Sequence, residues 1–322
     1  MSLILVIDKQ LQKRYKLTTG AIITREKIEY VTINNPPKKR RIIMEIREYA
    51  DEVAKYVGNG AEVKEVTKAN GIVKTGIVVN QGNICPTVYI EQMYEEGYSV
   101  QQAAAMVMDI AEKNKVTGSF DPKVFLDYEG FIKPNLRARL YNKATPAEVK
   151  RSAAPKGFKG LIIVPYVDLS EPINGIKGSI KVTKQHVENW GVTEKEVIDT
   201  ALENSARDVV VTDLFERFSS MTGMGFEEMA DSGLLPPGPR QLIVSNKSTV
   251  CGAIAILSKI KEFKDKFSDG FYVLPSSIHE VIVCPATGDD NEQQFFDMMV
   301  SEVNATTVLP EERLADTAFF FA

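Results

Sequence analysis

The 322-residue chain is 44% hydrophobic and 25% charged, enough to bury one large core or two lobes and too apolar to be disordered over most of its length. Its 39 basic and 43 acidic residues leave a net charge of −4, without the basic excess that neutralises phosphates, which argues against nucleic acid as a partner. Cys85, Cys251 and Cys284 are odd in number and widely spaced, and the longest apolar run, 103–108, is far short of the roughly 20 residues of a membrane span. Disulfide frameworks and membrane helices are therefore not expected, and a reducing, cytoplasmic setting is.

Residues 1–35 hold three short β-prone runs, followed by Asn34-Asn35-Pro36-Pro37 and the basic tetrad Lys38-Lys39-Arg40-Arg41, which reads as a solvated linker. Arg40-Arg41 can be encoded as a ribosome-binding site just upstream of a start codon at Met44. Residues 1–43 are thus read as an N-terminal extension or a mistranslated leader. From residue 43 the pattern becomes that of an amphipathic helix, with Ile46, Tyr49, Ala50, Val53 and Val57 at helical spacing.

Strands are predicted at 63–67 and 71–79, joined by a turn at Asn70-Gly71, and at 87–90 after Pro86. Ser99 and Gln102 form a capping box ahead of a helix over 100–112. A helix is predicted over 121–132 and a strand or short helix over 136–141, with the first lobe closing near 152–156. The second lobe opens on a continuous apolar run over 160–169, suited to a buried strand, with 178–182 as its hairpin partner. A helix over 184–190 should end at Gly191, and Thr193 with Glu196 should cap the next, which runs through 201–207. A methionine-rich helix over 213–231 leads to a proline-dense loop at 234–239. The remaining elements are a strand at 242–245, a turn at 246–248, a helix at 252–263, an antiparallel pair at 271–274 and 280–284, a helix over 293–303 capped by Asp290, and a closing edge strand at 318–321. Hairpins mixed with helices, without regular βαβ alternation, define an α+β class with two lobes, 44–154 and 155–322, each built of antiparallel hairpins packed with helices.

The densest cluster of catalytic residue types is Pro275-Ser276-Ser277-Ile278-His279-Glu280. A hydroxyl, an imidazole and a carboxylate can make an activated nucleophile, and Ser277, His279 and Glu280 are the candidate catalytic residues. Strand alternation counts against them, because it puts Ser277 and His279 on one face and Glu280 on the other. Asn246, Ser248 and Gly252 form a second candidate, a loop entering a helix N-terminus where free amides favour a small anionic ligand. That stretch lacks P-loop spacing, and the bland reading is that Asn246 stabilises its own turn. Asp127, Glu129 and Asp168 read as solvated carboxylates, and the methionines of 221–229 as core filling before a binding surface. The two histidines, His186 and His279, have no second His or Cys at ligand spacing, so no metal site is expected, and no fingerprint for a cofactor is present.

Asn70-Gly71-Ile72-Val73-Lys74-Thr75-Gly76-Ile77, Ile84-Cys85-Pro86-Thr87-Val88-Tyr89-Ile90 and Tyr94-Glu95-Glu96-Gly97 resemble the opening of a bacterial family catalogued as domain of unknown function 5688. The likeness continues through Asn189-Trp190-Gly191-Val192 and Ala201-Leu202-Glu203-Asn204. It is strongest in Leu274-Pro275-Ser276-Ser277-Ile278-His279-Glu280-Val281-Ile282 and Val303-Asn304-Ala305-Thr306, and covers roughly residues 44–322. It implies a range but no activity, cofactor or site residue. The leading expectation is a non-catalytic cytoplasmic protein that acts through a macromolecular partner. Its rivals are a hydrolase using His279 with Ser277 or Glu280, and an anion binder at Asn246–Gly252.

Overall fold

The computed structural model describes residues 44–58, 60–80, 87–113, 122–142, 153, 156–169, 178–231, 239–248 and 250–322. The strands expected in 1–35, the start-site reading, Cys85 and most of the proline-dense loop lie outside these residues. The chain divides into two compact units at residues 121/122, each with its own core.

In the first unit, helix α1 (Ile46–Val57) buries Tyr49, Ala50, Val53, Ala54 and Val57, the stripe its sequence spacing lays along one face. Strands β1 (Glu62–Thr67) and β2 (Val73–Val78) pair antiparallel, from Glu62 opposite Val78 to Thr67 opposite Val73. The chain reverses through Asn70 and Gly71, both at positive φ (59° and 70°), a conformation that Asn and Gly adopt at least cost. Strand β3 (Thr87–Tyr89) pairs with β2, giving the order β1-β2-β3. After the short helix α2 (Glu91–Glu95), helix α3 (Val100–Lys113) starts at the predicted capping box. The Ser99 N–H donates to Gln102 Oε1 at 3.1 Å, and the Gln102 N–H donates to Ser99 Oγ at 3.4 Å. Ala103, Ala104, Val107 and Ala111 of α3 close this core over α1.

The second unit begins earlier than the sequence suggested. All seven residues of β4 (Leu136–Asn142) pair antiparallel with β6 (Leu161–Asp168), so 122–142 belongs to the second unit and not to the first lobe. The single helix expected over 121–132 is instead a 3-10 segment, Pro122–Leu126, and a π turn, Tyr128–Ile132. Asp127 separates them: it leaves helical conformation, and its carboxylate accepts the Gly130 N–H at 2.9 Å, a local bond that competes with helix propagation. Strands β5 (Lys156–Phe158) and β7 (Ser179–Lys181) also pair with β6, which is buried along its length up to Asp168.

Helix α4 (Lys184–Trp190) ends at Gly191 in the left-handed region (φ 68°), as predicted. Its N-terminus is closed by Thr183 and His186, whose Nδ1 accepts the Thr183 N–H at 3.2 Å, so His186 is a capping residue. Helix α5 (Glu194–Arg207) starts at Thr193, whose hydroxyl accepts the Glu196 N–H. The long helix expected over 213–231 is two, α6 (Leu214–Thr222) and α7 (Phe226–Asp231), after strand β8 (Val209–Asp213). Gly223 at φ 74° ends the first, and Met224 and Met229 fill a small core with Leu214, Phe218 and Ile243.

The last third forms a five-stranded antiparallel sheet. Its strands are β9 (Leu242–Asn246), β10 (Phe271–Leu274), β11 (Val281–Pro285) and β12 (Phe319–Phe321), with β8, in the order β12-β10-β11-β9-β8. At β10 and β11 both faces are buried, and strand alternation sorts the side chains. Phe271, Val273, Val281 and Val283 face a core shared with helix α8 (Ile256–Lys266) and β6, while Tyr272, Leu274, Ile282 and Cys284 face helix α9 (Glu292–Thr306). Asp290 does not cap α9. Its entry is set by Asp289, whose Oδ1 accepts the Asn291 N–H at 2.8 Å, and by Glu292, whose carboxylate accepts the Thr287 N–H at 2.9 Å and its hydroxyl. The fold is α+β.

Candidate functional site

The loop 275–280 joins β10 to β11 and is stitched to chain on both sides. The Ala253 N–H donates to Ile278 O (3.0 Å), Ser245 Oγ donates to His279 O (2.8 Å), and the Ile278 N–H donates to Glu312 O (3.0 Å). Ser277 is 0% exposed, and its hydroxyl accepts the His279 N–H at 3.1 Å, a serine turn that shapes the loop. A nucleophile needs solvent or substrate at its oxygen, and Ser277 has backbone there instead.

His279 is 23% exposed, and both ring nitrogens are engaged. Nδ1 accepts the Cys251 N–H at 3.3 Å, and Nε2 faces Glu312 Oε1 at 3.1 Å. Because a backbone N–H can only donate, this pattern selects the tautomer with its proton on Nε2. Glu312 is thus a carboxylate partner of the His279 ring, while the Ser277 hydroxyl meets the His279 backbone N–H.

Of Asn246, Ser248 and Gly252, it is Gly252 that lies against the same loop, and through it the two sequence candidates meet. Asn246 Nδ2 donates to Val250 O (2.9 Å), Ser248 Oγ donates to Asn246 Oδ1 (3.1 Å), and the Val250 N–H donates to Ser248 Oγ (3.3 Å). These bonds close the turn itself. The helix that Gly252 opens begins as a 3-10 turn, Gly252–Ala255, and the amides of Cys251 and Ala253 are already taken by His279 and Ile278. Gly252 has a steric role: a Cβ at that position would touch Ser245 Oγ, and would come within 2.6 Å of His279 O and 2.7 Å of Asn246 N.

Cys251 sits beside it at φ 52°, left-handed for a residue with a side chain. Its thiol is buried, and burial pushes its pKa above the ordinary thiol range, against the Arg139 guanidinium, which pulls it down. Arg139 lies over the Tyr166 ring (3.8 Å) and donates to Ser179 Oγ (2.7 Å) and Tyr141 Oη (3.3 Å). Burial also raises the Cys284 thiol. Among the other sequence candidates, Asp127 caps a turn and Glu129 pairs with Lys133 at 2.9 Å. Among the described residues, no group of three His, Cys, Asp or Glu side chains could hold a metal ion, and no helix is long and apolar enough to cross a membrane.

A different feature lies on the outer side of α9. Phe296, Val300 and Val303 pack onto the sheet, while Phe295, against Phe296 at the edge of that stripe, and Met298, on the far side of the helix, are 38% and 58% exposed. Phe295 and Phe296 line a cavity of about 390 Å³ with Pro239, Pro285 and Cys284, and Asp289 and Glu292 stand at its polar side. From 267 to 312 the sequence has no Lys or Arg, yet it carries Asp269, Glu280, Asp289, Asp290, Glu292, Asp297, Glu302, Glu311 and Glu312. That run, together with paired phenylalanines and methionines on one helix, was the available sequence signal. Glu312 as the partner of His279 had none.

Fold and surroundings define an α+β protein of two compact units, with a hydrogen-bonded histidine loop and a helix exposing Phe295 and Met298 in the second. The chain belongs to the family of unknown function DUF5688, whose model matches residues 43–322. No curated protein and no solved structure matches it.

Proposed function

We propose that the protein acts by binding a partner protein on the outer face of α9, and not by chemistry at His279. The observation that carries this reading is the pair Phe295 and Met298, both exposed on one helix, beside a cavity of about 390 Å³ lined by five apolar and five polar residues. Grouped apolar side chains left in water beside a pocket mark interaction sites, whereas single ones do not. The methionine is suited to the task, because its unbranched side chain adapts to different partners. The histidine loop supports the same reading from the other side, since its groups satisfy one another. The setting is cytoplasmic, supported by Cys251 and Cys284 being free, buried thiols.

The test is selection of peptides from a displayed library against the full chain, followed by affinity measurement on two variants. Phe295→Ser with Met298→Ser should weaken the selected peptides by about tenfold or more, roughly 1.4 kcal/mol. His279→Ala should leave them within about twofold of the parent. Peptides that lose affinity with His279→Ala and keep it with the α9 variant would overturn the reading.

A further inference from the structure

Resting on that reading, we infer that the docking segment is basic: a large apolar anchor flanked by Lys or Arg. The argument is the charge pattern around the apolar pair. Asp290 precedes α9, Asp297 and Glu302 lie along it, and Asp289 and Glu292 line the cavity, with no Lys or Arg anywhere between 267 and 312. Among the described residues, basic side chains near this region come from other elements, and Arg313 just beyond the run donates to Val308 O at 3.3 Å. Arg240, next to the cavity-lining Pro239, is paired with Asp213 at 3.5 Å, and Lys159 donates to Phe320 O at 3.3 Å and lies over the Phe321 ring. Asp289 and Glu292 are the carboxylates that line the cavity with Phe295, with Asp290 between them in sequence and Asp297 and Glu302 following along α9.

A cavity of about 390 Å³ falls in the range of roughly 300–1,000 Å³ typical of ligand pockets, and takes one large apolar side chain. Carboxylates on the rim of an apolar contact set its specificity and association rate more than its final affinity. They favour an anchor with cationic neighbours and disfavour an acidic one. The same charges argue against a second copy of this chain docking by the same face, because a two-fold interface would bring the acidic rim against itself.

The experiment uses the full chain and three synthetic peptides with the same tryptophan and leucine anchors, flanked by lysines, glutamines or glutamates. Binding is read by fluorescence anisotropy at about 50 and 300 mM NaCl, spanning screening lengths of roughly 13 to 6 Å. The lysine peptide should bind about tenfold or more tightly than the glutamine peptide at low salt, and lose most of that advantage at high salt. Asp290→Lys with Glu302→Lys, both exposed positions, should remove the advantage while leaving the glutamine peptide unchanged. Equal affinity for the lysine and glutamine peptides overturns the charge inference and leaves the α9 reading standing. Failure of all three peptides to bind overturns both. Binding of the lysine peptide that survives Phe295→Ser with Met298→Ser overturns the assignment to this face, as does sedimentation showing a dimer that the same variant dissociates.

Discussion

The loop at 275–280 and the outer face of α9 differ in how their chemistry is spent. The loop holds a serine, a histidine and a glutamate within six residues, and the structure pairs its key groups internally: Ser277 with the His279 amide, the His279 ring with Cys251 and Glu312, and the His279 carbonyl with Ser245. The helix holds plainer residues and leaves Phe295 and Met298 partly in solvent on its outer side. Density of reactive residue types in sequence does not by itself say where those groups end. Around His279 polar groups end in each other, whereas on α9 two large apolar side chains are left partly in water.

Substitutions can break or sharpen this contrast. The largest effect belongs to Gly252→Ala. Its Cβ would meet backbone atoms that cannot yield, His279 O and Asn246 N, so destabilisation of about 3 kcal/mol or more is expected by chemical denaturation. A loss below about 1 kcal/mol would show the junction to be looser than described. His279→Ala comes next. It strips the Cys251 N–H of its acceptor and Glu312 of its partner, and should cost about 2 kcal/mol. An unchanged unfolding midpoint would mean that the ring does not tie these segments together.

The thiols provide a third measure. Burial raises the pKa of both Cys251 and Cys284, so each has less thiolate at pH 8 than an ordinary thiol, whose pKa is about 8.5. Iodoacetamide should label both at least about tenfold more slowly in the folded protein than after denaturation, as followed by peptide mass. Rapid labelling of Cys251 in the folded state would reopen catalysis at this junction. The smallest effect on stability is expected for Phe295→Ser with Met298→Ser, within roughly 0.5 kcal/mol, because surface positions contribute little to folding. A thermal scan that shows a larger loss would make the face structural.

Much of the architecture was legible because it rests on local chemistry. The stripe Tyr49, Ala50, Val53 and Val57, the turn at Asn70-Gly71, the Ser99–Gln102 box and the stop at Gly191 each arise from a few neighbouring residues. The failures came where a side chain captured backbone that the pattern had assigned elsewhere, as Asp127 does with Gly130, or where distant pairing decided, as β6 does in drawing β4 into the second unit. The histidine loop was found, and so was the turn at Asn246. Their meeting was not, because it depends on Gly252 fitting between strands and on Glu312 arriving from a 3-10 turn near residue 310. The internal use of Asn246 and Ser248 matches the turn chemistry that the sequence had suggested for Asn246.

Among the described residues, strand β4 has a single strand partner, β6, and α5 closes its other side with side chains. Ser205 Oγ accepts the Ala138 N–H at 2.9 Å, and Asn204 Nδ2 donates to the carbonyls of Lys133 and Leu136 at 2.9 and 3.1 Å. A helix here stands in for the next strand, using two short polar side chains in place of a backbone ladder. An open sheet edge is a template on which another chain can add a strand, and at Leu136 and Ala138 the backbone groups of this edge are taken by α5 side chains. Loss of either side chain would turn an ordinary polar substitution into a route to intermolecular pairing and aggregation.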